Sequence, residues 1–244
     1  MFWCLYFCLQ YLISFLVEQG IELGSITLNA SFSEESIGLC VEDLCNYLLT
    51  SMQLLGPLGD PTNYMLNFLI TQAQILLIFV RWMCSRIMST TKRMHAWPLY
   101  AKVIRTVITS LKLLMDIKPF IPDRLETMLR CLLVVLLTSL DFIHSQNKEY
   151  QESRESKTDM QNVADVFSDV SLMSLGFLPV LCSCVENNNV ANLSLAVIDT
   201  LLKGFLEPNT WFPVLQNHFP MQCVIGRIRH DSWRDSAAVI MNFY

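Results

Sequence analysis

The chain has 244 residues, of which 52% are hydrophobic and only 16% charged, with a net charge of −5 from 17 basic and 22 acidic side chains. Eight glycines are too few for the many turns of an all-β fold. Lys and Arg scattered through a mildly acidic chain supply no concentrated positive field, which argues against direct nucleic-acid binding.

A first helix is predicted from near Met1 to Gln19, ending at Gly20, and the polar stretch Gly24 to Ser33 is predicted as a loop. Ser33 ahead of Glu34 and Glu35 reads as an N-cap with acids in the first turn, opening a helix that runs to about Leu55. Gly56, Pro57, Gly59 and Pro61 break the chain there. Asp60 as cap and Pro61 at the first helical position start a third helix, predicted to continue to about Met88. After a basic turn from Thr90 to His95, a fourth helix buries Val103, Ile104, Val107, Ile108, Leu111, Leu114 and Met115 and turns Lys102, Arg105 and Lys112 to water. Pro119 and Pro122 separate it from a fifth, about Pro122 to Gln146, nearly all apolar at its centre.

Residues 147–159 carry Lys148, Glu149, Glu152, Arg154, Glu155, Lys157 and Asp159, a density of charge that predicts an exposed loop between helices. A sixth helix is predicted from near Met160, with a kink or break at Gly176 and Pro179. Asn187 to Asn189 form a turn, and Leu193, Val197, Leu201 and Phe205 mark a helix over Val190–Leu206. Short helices from Asn209 to about His218 and from about Asp231 onward complete the pattern. The apolar periodicity runs uncapped to Tyr244, so the chain is expected to be part of something longer.

Helices of about 20 residues alternate with short breaks, and no strict sequence repeat accompanies them. This predicts an all-α protein, an irregular α-solenoid of stacked antiparallel helix pairs in an ARM/HEAT-like superhelix of about ten helices, spanning 1–244 as a single unit. A closed globular all-α domain is the structural rival.

Two segments test a membrane reading. Residues 1–17 are uncharged but lack a basic leader, and Gln10, Ser14 and Glu18 fall on one helical stripe. Residues 61–80 are also uncharged, yet Asn63, Asn67, Thr71 and Gln74 again share one stripe, the pattern of an amphipathic helix packed in a protein. Between Cys131 and Leu140 the uncharged run is too short to cross a bilayer core of about 30 Å. No membrane span is therefore expected.

No residue is assigned a catalytic, cofactor-binding or metal-binding role. Cys182 and Cys184, Cys40 and Cys45, and Cys4 and Cys8 lack the second ligand pair a structural zinc needs, and most of the nine cysteines sit in apolar helical runs, as Cys131 does before Leu132 and Leu133. They read as reduced thiols of an intracellular protein. His95, His144, His218 and His230 lie on separate elements, and no G-x-S-x-G elbow or phosphate-cradling glycine loop occurs. Asp165 and Asp169 are read as complements to a helix N-terminus facing water. The glycosylation acceptor at Asn192 falls inside a predicted helix. Trp82, Trp97, Trp211, Phe212 and Trp233 lie near predicted helix ends, where they seal joints between helices or anchor a peptide. No cofactor and no small-molecule substrate are expected.

Three stretches, GDPTNYMLNFLITQAQILLIFVR (Gly59 to Arg81), WPLYAKVIRTVITSLKLL (Trp97 to Leu114) and HDSWRDSAAVIMNFY (His230 to Tyr244), resemble the large inner-ring scaffold nucleoporins, the nucleoporin 188 class with its 192 and 205 relatives, in a plant-type form. The resemblance implies a fragment of a much longer superhelical solenoid at the nuclear pore. Such a fragment would bind other nucleoporins through linker peptides or amphipathic helices and support nucleocytoplasmic transport. It implies no particular binding residue. A helical membrane protein with spans near 1–17 and 61–80, and an all-α enzyme, are the alternatives.

Overall fold

The computed structural model describes residues 34–55, 63–86, 93–117, 122–152, 157–187 and 189–220. Among these the protein is all-α: α1 (Glu34–Leu55), α2 (Asn63–Arg86), α3 (Arg93–Ile117), α4 (Pro122–Glu152), α5 (Lys157–Leu175), α6 (Leu178–Val185), α7 (Ala191–Gly204) and α8 (Pro208–His218). The predicted helices at 1–19 and from 231 onward lie outside the described residues.

Each helix buries the stripe its sequence marks. In α1, Val41, Leu44, Cys45, Leu48 and Met52 turn inward, at the spacing of a 3.6-residue period. In α3, Val103, Ile104, Val107, Ile108, Leu111 and Leu114 do the same while Arg105 and Lys112 stay exposed, as predicted. Burying each large apolar side chain contributes about 1.5–3 kcal/mol, and in α2 and α4 burial extends well beyond one stripe. Gln72 in α2 is fully buried, off the polar stripe predicted through Asn67, Thr71 and Gln74. Thr71 survives burial by donating its hydroxyl to the Asn67 carbonyl at 2.8 Å.

The broad burial follows from how the helices are arranged. One layer holds α1, α3 and the α5–α6 pair, with α8 against α6, and a second holds α2, α4 and α7. The layers join through α1 on α2, α3 on α4, and α6 on α7. Tyr100, early in α3, stacks on Phe142, late in α4, at 4.5 Å between ring centroids, so that pair runs antiparallel. Within a layer, paired contacts show α1 parallel to α3, α3 to the α5–α6 pair, and α4 to α7. Glu42 of α1 pairs with Lys102 of α3 at 2.7 Å, and one turn further Cys45 meets Thr106. In the second layer Asn189, just ahead of α7, donates to Glu126 of α4 at 2.7 Å, and Thr200 donates to Asp141 at 3.0 Å. Arg105 of α3 reaches Asp169 of α5 at 3.6 Å, and Cys184 of α6 reaches Met115 of α3 at 3.7 Å. Apart from α8 on α6, the side-chain contacts between same-layer helices therefore recur at a nearly constant separation along the chain, between 59 residues (Asp141 to Thr200) and 69 (Met115 to Cys184).

The break at Gly176 and Pro179 appears as expected: the axes of Ala164–Leu175 and Leu178–Val185 differ by 51°. Pro179 sits in the first turn of α6, where its missing N–H loses no helix bond. The predicted charged loop at 147–159 is corrected. Helix α4 continues through Glu152 and α5 begins at Lys157, so most of that stretch is helical. Charged residues on a solvated helix face keep good helix propensity, as the exposed Lys148 does.

By length and composition, Glu126–Ser145 of α4 is apolar enough to cross a membrane, although the uncharged run within it is short. Sixty-one per cent of its most apolar stretch is buried inside the protein, as the core helix of a folded domain would be. The apolar part of α2, Leu66–Arg81, is shorter than a span.

Candidate functional site

The residues that chemistry would draw on are dispersed. Among the described residues no group of three His, Cys, Asp or Glu side chains is placed to hold a metal ion. Cys182 and Cys184 are both buried on α6, the latter donating toward the Met115 sulfur. Burial pushes the Cys182 and Cys131 thiols up to about 12 and Cys45 to about 11, which keeps them protonated and unreactive at neutral pH. The phenol of Tyr100 is likewise pushed up by burial and by the Cys84 thiol at 3.4 Å. Cys4 and Cys8 lie outside the described residues.

Asp165 and Asp169 are exposed, as predicted, but not at a helix start. Helix α5 begins at Lys157, which puts both carboxylates beyond its first turn. The macrodipole acts within about one turn of the terminus, so the partner of Asp169 is instead the Arg105 guanidinium. His144 is half-buried against α7, and His218 is exposed on α8. Asn192 is exposed on α7, inside a helix as the sequence indicated. Trp211 is buried, edge-on to Phe212 at 6.2 Å between ring centroids.

What the fold does assemble is an open cleft of about 450 Å³ between α5 and the turn joining α7 to α8. Its construction starts at Gly204, the last residue of α7. The His144 imidazole from α4 lies so close that a Cβ at position 204 would stand 2.5 Å from Nδ1. With that approach open, the chain turns: the Phe205 and Leu206 N–H groups both donate to the Leu201 carbonyl, and Glu207 is extended ahead of Pro208, which opens α8. The turn drives Phe205 inward, where it stacks on Phe167 of α5 at 4.7 Å with 16° between ring planes. These rings, with Leu206 and Leu175, make an apolar floor. Leu172 stands beside it at 69% exposure, an unusual position for so large an apolar side chain on a helix that has a buried face.

Polar groups occupy the rim. The Ser171 hydroxyl donates to the Phe167 carbonyl at 2.9 Å and Thr210 donates to the Glu207 carbonyl at 2.7 Å, so neither is a poised nucleophile. Lys203 is held by Asp199 at 2.7 Å. Glu207 is exposed and makes no ion pair among the described residues. An apolar floor, with the Ser171 and Thr210 hydroxyls bonded to backbone carbonyls at its rim, suits binding of apolar side chains.

No sequence reading singled out this cleft. Leu172 is one apolar residue among many on α5, and only the neighbours supplied by α7 and α8 make it a rim. A second apolar exposure lies on the outer side of α1, where Leu39 and Leu54 are more than half exposed, while Tyr47 rests edge-on against Phe68 at 5.7 Å. Compared with protein-family models, with curated proteins and with solved structures, the chain matches none.

Proposed function

We propose that this chain is a structural scaffold of the nuclear pore inner ring, a piece of a nucleoporin 188-type α-solenoid that binds other nucleoporins and supports nucleocytoplasmic transport at the nuclear envelope. The observation that carries the proposal is the repeated side-by-side stacking of helix pairs, each packed on the pair one unit ahead at a separation of 59 to 69 residues. That pattern is the contact logic of a solenoid, in which each unit touches its neighbours and curvature builds an extended binding surface. Two of the three stretches resembling the scaffold nucleoporins, Gly59 to Arg81 and Trp97 to Leu114, coincide with most of α2 and α3, which belong to opposite layers. In this reading residues 1–244 contribute about ten helices to the longer superhelix, and the partners are linker peptides or amphipathic helices. Affinity comes from buried apolar area.

Among the described residues the membrane reading draws on the bent pair Ala164–Leu175 with Leu178–Val185 and on the single helix Glu126–Ser145. In that segment Glu126 and Asp141 accept hydrogen bonds from Asn189 and Thr200, contacts suited to a helix inside a protein.

Two measurements test the scaffold. A fluorescent fusion of the full chain should collect at the nuclear rim and label inner-ring nucleoporins by proximity. Diffuse signal, or a reticular membrane pattern extracted only by detergent, refutes the proposal. Solution scattering should give a radius of gyration clearly above the about 18 Å expected of a compact domain of this length.

A further inference from the structure

We infer that the cleft between α5 and the α7–α8 turn receives a short amphipathic helix whose apolar side chains are flanked by Lys or Arg. The inference takes its physiological meaning from the scaffold reading and specifies the chemistry of the partner.

The shape of the site selects the occupant's form. Peptides that bind as added strands need a free sheet edge, and the described residues contain only helices, whose backbone groups bond internally. Side chains must then supply the contacts, and a helix presents them at i, i+3 and i+4. The floor is rigid where it matters, since the Phe167–Phe205 stack ties α5 to the turn. Exposed Leu172 and half-buried Leu175 follow each other along the same face of α5 and form a ledge for apolar anchors. A volume of about 450 Å³ has room for a few such side chains.

Charge selects the occupant's flanks. The cations near the site are already neutralised, Lys203 by Asp199 at 2.7 Å and Arg105 by Asp169 at 3.6 Å. Glu207 is the rim charge left over. A basic flank complements this rim, and an acidic one is repelled.

The test uses two synthetic 14-residue amphipathic helices with identical leucine faces, one with lysine and the other with glutamate on the polar face. Each is labelled and titrated with the full chain by fluorescence anisotropy. The lysine peptide should bind at least about tenfold more tightly than the glutamate peptide. Leu172→Asn should weaken it by about tenfold, and Glu207→Lys should cut the preference by several fold. Leu39→Asn, on the distant outer side of α1, should change nothing. All three positions are exposed, so thermal melts should match that of the unaltered chain. Equal affinity for the two peptides, binding indifferent to Leu172→Asn, or an equal loss with Leu39→Asn overturns the inference. A chain that binds the lysine peptide but stays away from the nuclear rim overturns the scaffold reading and leaves the cleft. One at the rim that ignores the peptide does the reverse.

Discussion

Replacing Gly204 with alanine sets two effects of known size against each other. Alanine is the better helix former by about 1 kcal/mol in a helix interior, and less at the last position of α7. Against that gain, the added Cβ would lie 2.5 Å from His144 Nδ1, 2.9 Å from Cγ and 3.1 Å from Cε1. Contacts below 3 Å force a shift, and overpacking of this kind costs about 1–3 kcal/mol. The imidazole also faces the Phe205 ring, 6.2 Å away between centroids, and that ring stacks on Phe167. The net expectation is a loss of about 1–2 kcal/mol, or about 3–6 °C in Tm for a domain of this size. Removing the obstacle should reverse the sign. In a His144→Ala background, Gly204→Ala should be neutral or slightly stabilising, a coupling of about 1–2 kcal/mol in a double-mutant cycle. Urea unfolding of the four chains measures it. A stabilising Gly204→Ala in the unaltered chain, or the same effect in both backgrounds, would show that His144 does not hold this position and refute the account of the turn.

Other outcomes follow from the core. The Ser110 and Ser174 hydroxyls are buried with no hydrogen-bond partner among the described residues, so Ser110→Ala and Ser174→Ala should be neutral or stabilise by up to about 1 kcal/mol; a clear drop in urea midpoint for either contradicts this. Leu111→Ala, at a fully buried site, should cost about 2–5 kcal/mol, whereas Leu172→Ala at 69% exposure should change stability by less than about 0.5 kcal/mol. The thiols of Cys131 and Cys182 keep their protons to about 12, against 9.0 when unfolded. Between those values the native state binds more protons than the unfolded one, so stability must fall as pH rises from 9.0 toward 12. A urea midpoint at pH 10 equal to that at pH 8 refutes the burial argument, as does rapid labelling of either thiol by a disulfide reagent in the native state.

The helical register of this protein was legible because it is local. The inward positions of α3 are those the sequence indicates, and the break between α5 and α6 falls at Gly176 and Pro179 as backbone chemistry requires. Reading failed where charge density stood in for conformation. The stretch around Lys148 and Glu152 is charged and helical at once, since a solvated helix face tolerates charge. Sequence position alone puts Asp169 near a helix terminus, yet its partner, Arg105, comes from another helix. Gln72 is buried because α2 meets neighbours on more than one side, which a single polar stripe could not announce.

By itself, then, the sequence determined an all-α chain, the inward face of most helices and the positions of the main breaks, all consequences of periodicity and backbone preference acting over a turn or two. Only the tertiary structure decided which helices are neighbours, how His144 came to lie on Gly204, and how Leu172, Phe205 and Glu207 came to border one cleft. Those pairings join residues as far as 69 positions apart, and they depend on the shapes of facing side chains and the angles at which helices settle together. No short-range period along the chain encodes either.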